Sequence, residues 1–192
     1  MTAFEEKSRS TRYRGAVISV DEVSLRTPAG GSVSREIVRH MGAVVVVPYD
    51  EGHVYLIRQF RAATGGYLLE LPAGKRDVAG EPPEVTAVRE CVEEVGFEPG
   101  RVEKIHEFWN SPGFCDELTL LFVAEKLQAR ARDPQGAEEQ DAEIVRLATD
   151  QAFSMVAGGE IVDAKTIIGL YGLERWLRRS ARASGNDEPV HV

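Results

Sequence analysis

The sequence has few of the residues that mark secreted, redox-active or zinc-binding proteins. Its 192 residues include 2 cysteines and 4 histidines, and the cysteines lie in no zinc-binding or redox spacing. No apolar run approaches the roughly 20 residues that span a membrane, and the first residues lack the apolar segment of a signal peptide. These absences predict a cytoplasmic protein with no membrane association.

The chain is also short of positive charge. With 23 Lys and Arg against 31 Asp and Glu, its net charge is −8, which argues against nucleic acids or anionic membranes as dedicated partners. A small phosphate-containing substrate is compatible with this charge, because it needs only a few cations at one place. The length suits one domain with a small extension.

Strands and helices are predicted to alternate along the chain, which indicates an α/β fold built as a layered sandwich. Residues 43–50 form a nearly continuous apolar run typical of a central strand, and the turn at residues 50–52 predicts a hairpin. The other predicted strands lie within residues 15–38 and near 67–72, 101–110, 117–127 and 143–149, with helices near 83–95, 150–157 and 162–180. Residues 127–142 are predicted to form a long mobile loop, and residues 182–192 a disordered tail.

The most informative segment is the acidic helix predicted over residues 83–95. At about 100° per residue, Glu90, Glu93 and Glu94 share one face of this helix, and its valines share the opposite face. Three clustered carboxylates repel one another and weaken a helix, unless a hard divalent cation such as Mg²⁺ takes them as oxygen ligands. The pattern favours a metal site on a helix anchored by its valines. The alternative is a solvated acidic face.

Residues 74–97 resemble the signature of the Nudix hydrolase family, which specifies seven residues at fixed spacing. The matching residues are Gly74, Glu81, Arg89, Glu90, Glu93, Glu94 and Gly96. Six residues instead of five separate the first two, and Cys91 occupies an aliphatic position, but neither change removes a carboxylate. The resemblance implies a Nudix-type α/β/α sandwich with a mixed sheet over residues 41–181, preceded by a small N-terminal antiparallel β extension over residues 1–40.

The resemblance also implies a metal and its ligands. Mg²⁺, or Mn²⁺ as a substitute, is expected to bind to the carboxylates of Glu90, Glu93 and Glu94 and the carbonyl of Ala73. Arg89 is expected to pair with a neighbouring carboxylate and to orient it. The implied reaction is hydrolysis of a diphosphate bridge by a metal-oriented water, with Glu93 and Arg89 among the catalytic residues.

Outside the signature, the chain is most similar to the ADP-ribose pyrophosphatases of that family. Three short stretches carry this similarity: Gln59-Phe60-Arg61, Glu70-Leu71-Pro72-Ala73-Gly74 and Ser111-Pro112-Gly113-Phe114. Pro112 also lies sixteen residues after Gly96, a spacing associated with the subfamily. The implied activity is hydrolysis of ADP-ribose to AMP and ribose 5-phosphate.

Two arginines and one loop are candidates for substrate binding. The Arg61 guanidinium suits diphosphate oxygens because it donates two parallel hydrogen bonds; an exposed arginine at a strand end is the alternative. The resemblance places Arg35 against the substrate across a dimer interface. The resemblance also predicts that Pro112, Gly113 and Phe114, which belong to one loop, bind the substrate. An aromatic ring of this segment, Phe114 or Trp109, either stacks on adenine or only packs the loop.

A general base must accept the proton of the attacking water. The metal-binding glutamates are poor bases, because the cation lowers their pKa and occupies their lone pairs. The loop that contains Glu138 and Glu139 is acidic, follows Gly136 and is predicted to close over the substrate. The resemblance puts the base at the second glutamate of this pair, Glu139. A solvated loop without a role is the alternative.

Two other functions compete with ADP-ribose hydrolysis. The first is the same chemistry on another nucleoside diphosphate sugar, such as GDP-mannose. The second is a non-catalytic sensor of ADP-ribose, which is disfavoured because the chain keeps every glutamate and has no room for a basic DNA-binding domain. The resemblance also implies a homodimer whose N-terminal strands exchange between subunits. Residues 15–40 have too little apolar surface to stand alone, which is consistent with packing on a partner.

Overall fold

The computed structural model of the protein describes residues 3–183 and contains two β-sheets. The smaller sheet is antiparallel and follows chain order, with β1 (Glu5–Arg14), β2 (Ser19–Arg26) and β3 (Ser32–Arg39). Strands β2 and β3 lie where strands are predicted, whereas β1 is absent from the predictions. Every residue of β1 is exposed, so the strand lacks the apolar alternation by which a half-buried strand is recognised.

The larger sheet has seven strands within the described residues. They are β4 (Ala43–Asp50), β5 (His53–Arg61), β6 (Gly66–Glu70), β7 (Ala73–Lys75), β8 (Phe97–Trp109), β9 (Leu118–Ala129) and β10 (Glu143–Ala148). The central order is β10-β5-β4-β9-β8, with β6 paired to β5 and β7 paired to β4. The sheet is mixed, because β4 and β9 are parallel and the other pairs are antiparallel. The β4–β5 hairpin turns at Glu51 and Gly52, with φ angles of 43° and 79°.

Within residues 3–183, four helices accompany this sheet: α1 (Pro83–Val95), α2 (Ala137–Gln140), α3 (Thr149–Gly158) and α4 (Ala164–Ala183). The buried valines of β4 alternate between two cores. Val44 and Val46 pack with α1, whereas Val45 and Val47 pack with α3 and α4. Helices therefore cover both faces, which confirms the predicted α/β/α sandwich with its N-terminal antiparallel extension. None of these helices is both long and apolar enough to cross a membrane.

The buried face of α1 differs from the predicted one. Val85 is exposed, whereas Ala87, Cys91 and Val95 are buried and pack on the sheet. Small side chains at i and i+4 let a helix lie close to the strands beneath it. The predicted valine face is therefore only partly correct, because Val95 is buried, Val88 and Val92 are half-buried, and Val85 is exposed. The buried side of the helix also includes two of the glutamates.

Two segments contain more regular structure than the sequence predicts. Strand β9 runs to Ala129, and α2 forms inside the predicted loop of residues 127–142. Helix α4 continues through Ala183, so the first two residues of the predicted 182–192 tail are helical. The rest of that tail lies outside the described residues.

Candidate active site

Proline and glycine set the two ends of α1, the helix that carries the glutamates. Pro83 occupies the first turn, where its missing N–H costs no hydrogen bond. Gly96 ends the helix at φ 72°, a left-handed conformation that glycine adopts without strain, and its N–H donates to the Val92 carbonyl at 3.0 Å. These two residues therefore determine where the helix that carries the glutamates begins and ends.

Two glutamates of α1 lie directly on the backbone of β7. Glu90 and Glu94 are 5% and 3% exposed, and Glu94 Oε2 accepts a hydrogen bond from the Ala73 N–H at 2.9 Å. A Cβ atom on Gly74 would lie 1.8 Å from the carboxyl carbon of Glu90, so only glycine leaves space for that carboxylate. Ala73 and Gly74 thus form the floor beneath the two carboxylates.

Arg89 contacts three carboxylates of the signature. Its Nη1 lies 2.8 Å from Glu90 Oε1 and 3.1 Å from Glu93 Oε2. Its Nη2 lies 3.4 Å from Glu81 Oε2, which also accepts a hydrogen bond from the Thr86 hydroxyl at 2.7 Å. These are the contacts expected of a residue that orients carboxylates.

Burial raises the pKa values of the glutamates on α1. Loss of water raises the pKa of Glu90 to about 7 and that of Glu94 to about 8, and it also raises the pKa of Glu93. The Arg89 guanidinium opposes the rise in pKa at Glu90 and Glu93, and the Ala73 N–H opposes it at Glu94. The two buried carboxyl groups therefore bind protons near neutral pH, and a bound cation would displace those protons.

The glutamates open onto a cavity of about 630 Å³. Seven acidic and four basic side chains line it, which leaves an excess of three negative charges when every carboxyl group is ionised. They are Asp77, Glu90, Glu93, Glu94, Glu117, Glu138 and Glu139, with Arg61, Lys75, Arg89 and Lys165. Such a cavity repels an anionic substrate unless cations enter with it.

The donors in this cavity fit a divalent cation. The carboxylates of α1 and the backbone of β7 supply hard oxygen ligands of the kind that Mg²⁺ prefers. No three ligand side chains of residues 3–183 converge in a ready-formed cluster. Arg89 contacts Glu90 and Glu93, and the Ala73 N–H is bonded to Glu94. Binding of a cation therefore competes with Arg89 for two of the carboxylates.

Arg61 lines the cavity, but part of its guanidinium is already bonded. Its Nε and Nη2 donate to the two carboxylate oxygens of Glu70 at 2.7 and 2.6 Å, and Glu70 is only 1% exposed. Three of the five N–H donors of an arginine remain after these two bonds. A two-pronged contact from Arg61 to phosphate must therefore use the Nη1–Nη2 edge, because Glu70 occupies the Nε edge.

Glu139 lies at the cavity on α2, together with Glu138. Its Oε2 accepts a hydrogen bond from the Gln135 N–H at 2.6 Å, and its carbonyl accepts one from Arg132 Nη2 at 3.0 Å. The negative charge of Glu139 helps to raise the pKa values of all three glutamates of α1, and Glu138 is not among the main contributors. Of the two candidate bases, Glu139 acts more strongly on the carboxylates of α1.

The other predicted substrate residues lie outside this cavity. Arg35 is exposed on β3, where its Nη1 donates to the Ser34 carbonyl at 2.7 Å. Three residues of the loop before β9 are also exposed: Pro112, Gly113 and Phe114. The Val38 N–H of β3 donates to the Phe114 carbonyl at 2.7 Å. The loop and β3 therefore share one surface, and the roles predicted for these residues remain predictions.

Several residues of the cavity wall were given no role by the sequence, among them His40, Gln59 and Lys165. Gln59 belongs to the Gln-Phe-Arg stretch, so its place at the site could have been predicted from that motif. Lys165 lies on α4, far along the chain from every motif, and no spacing pointed to it. Its place in the cavity depends on how α4 packs against the sheet.

Comparison with known proteins identifies the family. The family model described as the NUDIX domain matches residues 38–165, which include the whole signature. The chain belongs to the Nudix family. The expectation of a Nudix hydrolase, drawn from the signature, is therefore confirmed.

Relatives of this Nudix protein cover most of its length. It is 36% identical over 177 residues to an ADP-ribose pyrophosphatase of Bacillus subtilis, covering 91% of this chain and 95% of the relative. It is 38% identical over 168 residues to an ADP-ribose pyrophosphatase of Mycobacterium tuberculosis, covering 87% and 81%. A GDP-mannose pyrophosphatase of Escherichia coli is 38% identical over 159 residues, covering 72% and 80%. The solved structure of an ADP compounds hydrolase, 22% identical, superposes with a TM-score of 0.84 over 95% of this chain and 98% of the other, which shows the shared fold.

We expect Gly74→Ala to damage the Nudix site severely, because the new methyl group overlaps the Glu90 carboxylate. Either Glu90 or β7 must then move. We predict a roughly 10²-fold loss of kcat, the effect of a misplacement by about 1 Å, and a loss of about 1–3 kcal/mol in the free energy of unfolding. Steady-state kinetics and urea denaturation measure the two effects.

Gly66→Ala is the matched control, because no atom lies within 4 Å of a Cβ at that position of β6. It should leave both quantities nearly unchanged. Equal losses in the two variants would contradict the steric role of Gly74.

Proposed function

We propose that the protein hydrolyses the diphosphate bond of ADP-ribose to AMP and ribose 5-phosphate in a Mg²⁺-dependent reaction. The observation that carries this proposal is the burial of Glu90 and Glu94 against the backbone of β7, in a cavity that also contains Arg61. Such a cavity offers carboxylates for a metal and a guanidinium for phosphate, as phosphoryl-transfer chemistry requires. The relatives named as ADP-ribose pyrophosphatases support this choice of substrate.

The ligands of Mg²⁺, or of Mn²⁺ in its place, would be Glu90, Glu93, Glu94 and the Ala73 carbonyl. When bound, the metal supplies positive charge to the phosphate oxygens and orients the attacking water. Arg89 holds Glu90 and Glu93 at 2.8 and 3.1 Å, which keeps two of the carboxylates together. Nudix hydrolases generally depend on divalent metal ions, which supports the assignment.

The side chains of the protein bind the substrate and move one proton. Arg61 donates from its Nη1–Nη2 edge to diphosphate oxygens, since its Nε edge is bonded to Glu70. A carboxylate oxygen of Glu139 accepts the proton of the attacking water. Contacts to the rest of the substrate come from Pro112, Gly113 and Phe114 and from the partner subunit's Arg35.

We further propose a cytoplasmic homodimer, in which residues 1–40 form the dimerisation extension and residues 41–181 the hydrolase domain. Apolar side chains of the first 20 residues are exposed, among them Tyr13, Val17 and Ile18, and a partner subunit would cover them. Val17 also lines the cavity. Arg35 lies outside the cavity of its own subunit, which is consistent with a contact to the neighbouring one.

Removal of residues 1–40 should abolish both the dimer and the activity, because the deletion removes the whole smaller sheet. Light scattering coupled to size-exclusion chromatography should give the full-length chain twice its subunit mass of 21.1 kDa. Ile18→Asp tests the interface without shortening the chain, since it places a charge on exposed apolar surface. A full-length chain that is active as a monomer would refute the dimer proposal.

The substrate is tested with a panel of nucleoside diphosphate sugars and Mg²⁺, in which a phosphatase releases phosphate from the monoester products. We expect ADP-ribose to have the highest kcat/KM. A higher value for GDP-mannose would favour the second candidate activity, which the relatives of that name support. Binding of ADP-ribose without hydrolysis of any compound would indicate a sensor instead.

A further inference from the structure

A second cation lies beside Arg61 in the wall of the cavity. Lys165 belongs to the first turn of α4, is half-buried and lines the cavity. Its Nζ lies 2.7 Å from Asp163 Oδ1 and 3.9 Å from Glu70 Oε2. Glu70 is the carboxylate that is bonded to Arg61, so one buried anion lies between cations from β5 and α4.

The start of α4 is fixed by hydrogen bonds that need no substrate. Asp163 Oδ2 accepts from the Thr166 N–H at 2.9 Å and from the Thr166 hydroxyl at 2.8 Å, as a residue that caps a helix does. The Thr166 hydroxyl oxygen accepts in turn from the Leu71 N–H at 2.9 Å. Lys165 is therefore held next to the segment that leads into β7 before any substrate binds.

The ammonium group of Lys165 has donors left for a ligand. Glu70 accepts from Arg61 with both of its oxygens, and at 3.9 Å it lies too far from Nζ for a hydrogen bond. Asp163 accepts one of the three ammonium hydrogens. Two donors thus remain, and phosphate oxygens, which only accept hydrogen bonds, are suitable partners for them.

We propose that Lys165 binds a phosphate group of the substrate together with Arg61. This inference rests on the proposed diphosphate substrate. The α1 side of the cavity carries carboxylates that repel phosphate, so a diphosphate needs cations on the β5 and α4 side in addition to a metal. The competing explanation is a lysine that only neutralises Glu70 and Asp163.

Calorimetric titration with inorganic pyrophosphate and Mg²⁺ tests the inference without turnover. We expect Lys165→Met to weaken binding by about 10- to 100-fold, the usual range for a hydrogen bond to a charged group. Lys165→Arg should restore most of the affinity. Lys104→Met, which removes a lysine of β8 outside the cavity, is the charge-matched control and should bind like the wild type. Unchanged affinity in Lys165→Met would overturn the inference.

Kinetics with ADP-ribose separate phosphate binding from a structural role. If Lys165 binds phosphate, Lys165→Met raises KM with little change in kcat or Tm. If kcat and Tm fall together and arginine restores neither, the lysine is structural and the inference is overturned. A wild type that binds pyrophosphate but does not hydrolyse ADP-ribose would remove the proposed function, whereas the comparison of pyrophosphate affinities would still decide the role of Lys165.

Discussion

Glu139→Gln should lower kcat by about 10²–10⁴-fold while KM changes little, because an amide cannot accept the proton of the attacking water. Glutamine has nearly the same shape, and its carbonyl oxygen can still accept the hydrogen bond that the Gln135 N–H donates to Glu139 at 2.6 Å. The loss therefore reports on proton transfer and not on the folding of α2. Steady-state kinetics with ADP-ribose at saturating Mg²⁺ measure both constants.

Glu138→Gln is the matched control for this prediction. It makes the same change of charge on the same short helix and in the same cavity, so it should cost far less activity. A larger kcat loss for Glu138→Gln than for Glu139→Gln would show that Glu138 is the base. Near-wild-type rates in both variants would show that the base does not lie on α2.

Glu93→Gln and Glu94→Gln should each lower turnover by roughly 10²-fold or more in a protein that remains folded, because charge stabilisation of the transition state is lost. At Glu94, the carbonyl oxygen of glutamine can still accept from the Ala73 N–H, so the packing on β7 is preserved. Glu84→Gln, at an exposed position in the first turn of the same helix, is the control and should retain activity. Full activity in both site variants, or wild-type activity that persists in EDTA, would contradict the metal assignment.

The stability of the metal-free protein gives a second readout of Glu94→Gln. Burial raises the pKa of Glu94 from 4.5 to about 8, so the folded chain binds this proton more tightly than the unfolded chain. Proton binding by Glu94 therefore adds to the free energy of unfolding. This contribution is complete below pH 4.5, the pKa in the unfolded chain, and is lost as the pH rises through about 8, the pKa in the folded chain. In EDTA, the Tm of Glu94→Gln minus that of the wild type should therefore increase from about pH 5 to about pH 9. A difference that stays constant over this range would contradict the raised pKa.

The local parts of the site could be predicted from the sequence. Glu90, Glu93 and Glu94 belong to one helix, so their spacing alone determines that they lie near one another. Gly96 marks the end of that helix, because its left-handed conformation favours glycine. The run of valines in β4 identifies the central strand, because a strand that is buried on both faces is apolar at successive positions.

Contacts between distant segments could not be predicted in this way. The buried face of α1 depends on β7, where Gly74 lets the Glu90 carboxylate lie against the backbone, so the buried side includes Glu90 and leaves Val85 exposed. The approach of Lys165 to Glu70 requires α4 to meet β6, which lies far from it along the chain. Strand β1 gives no pattern at all, because an exposed polar strand has neither apolar alternation nor a buried face.

The most direct test of the proposed activity is an analysis of the products that the purified protein forms from ADP-ribose. Anion-exchange chromatography separates AMP, ribose 5-phosphate and adenosine after incubation with Mg²⁺ or with EDTA. With Mg²⁺ we predict AMP and ribose 5-phosphate in equal amounts, and with EDTA neither product. Unconsumed ADP-ribose in the presence of Mg²⁺, or release of adenosine in place of AMP, would contradict the proposed Mg²⁺-dependent hydrolysis of the diphosphate bond.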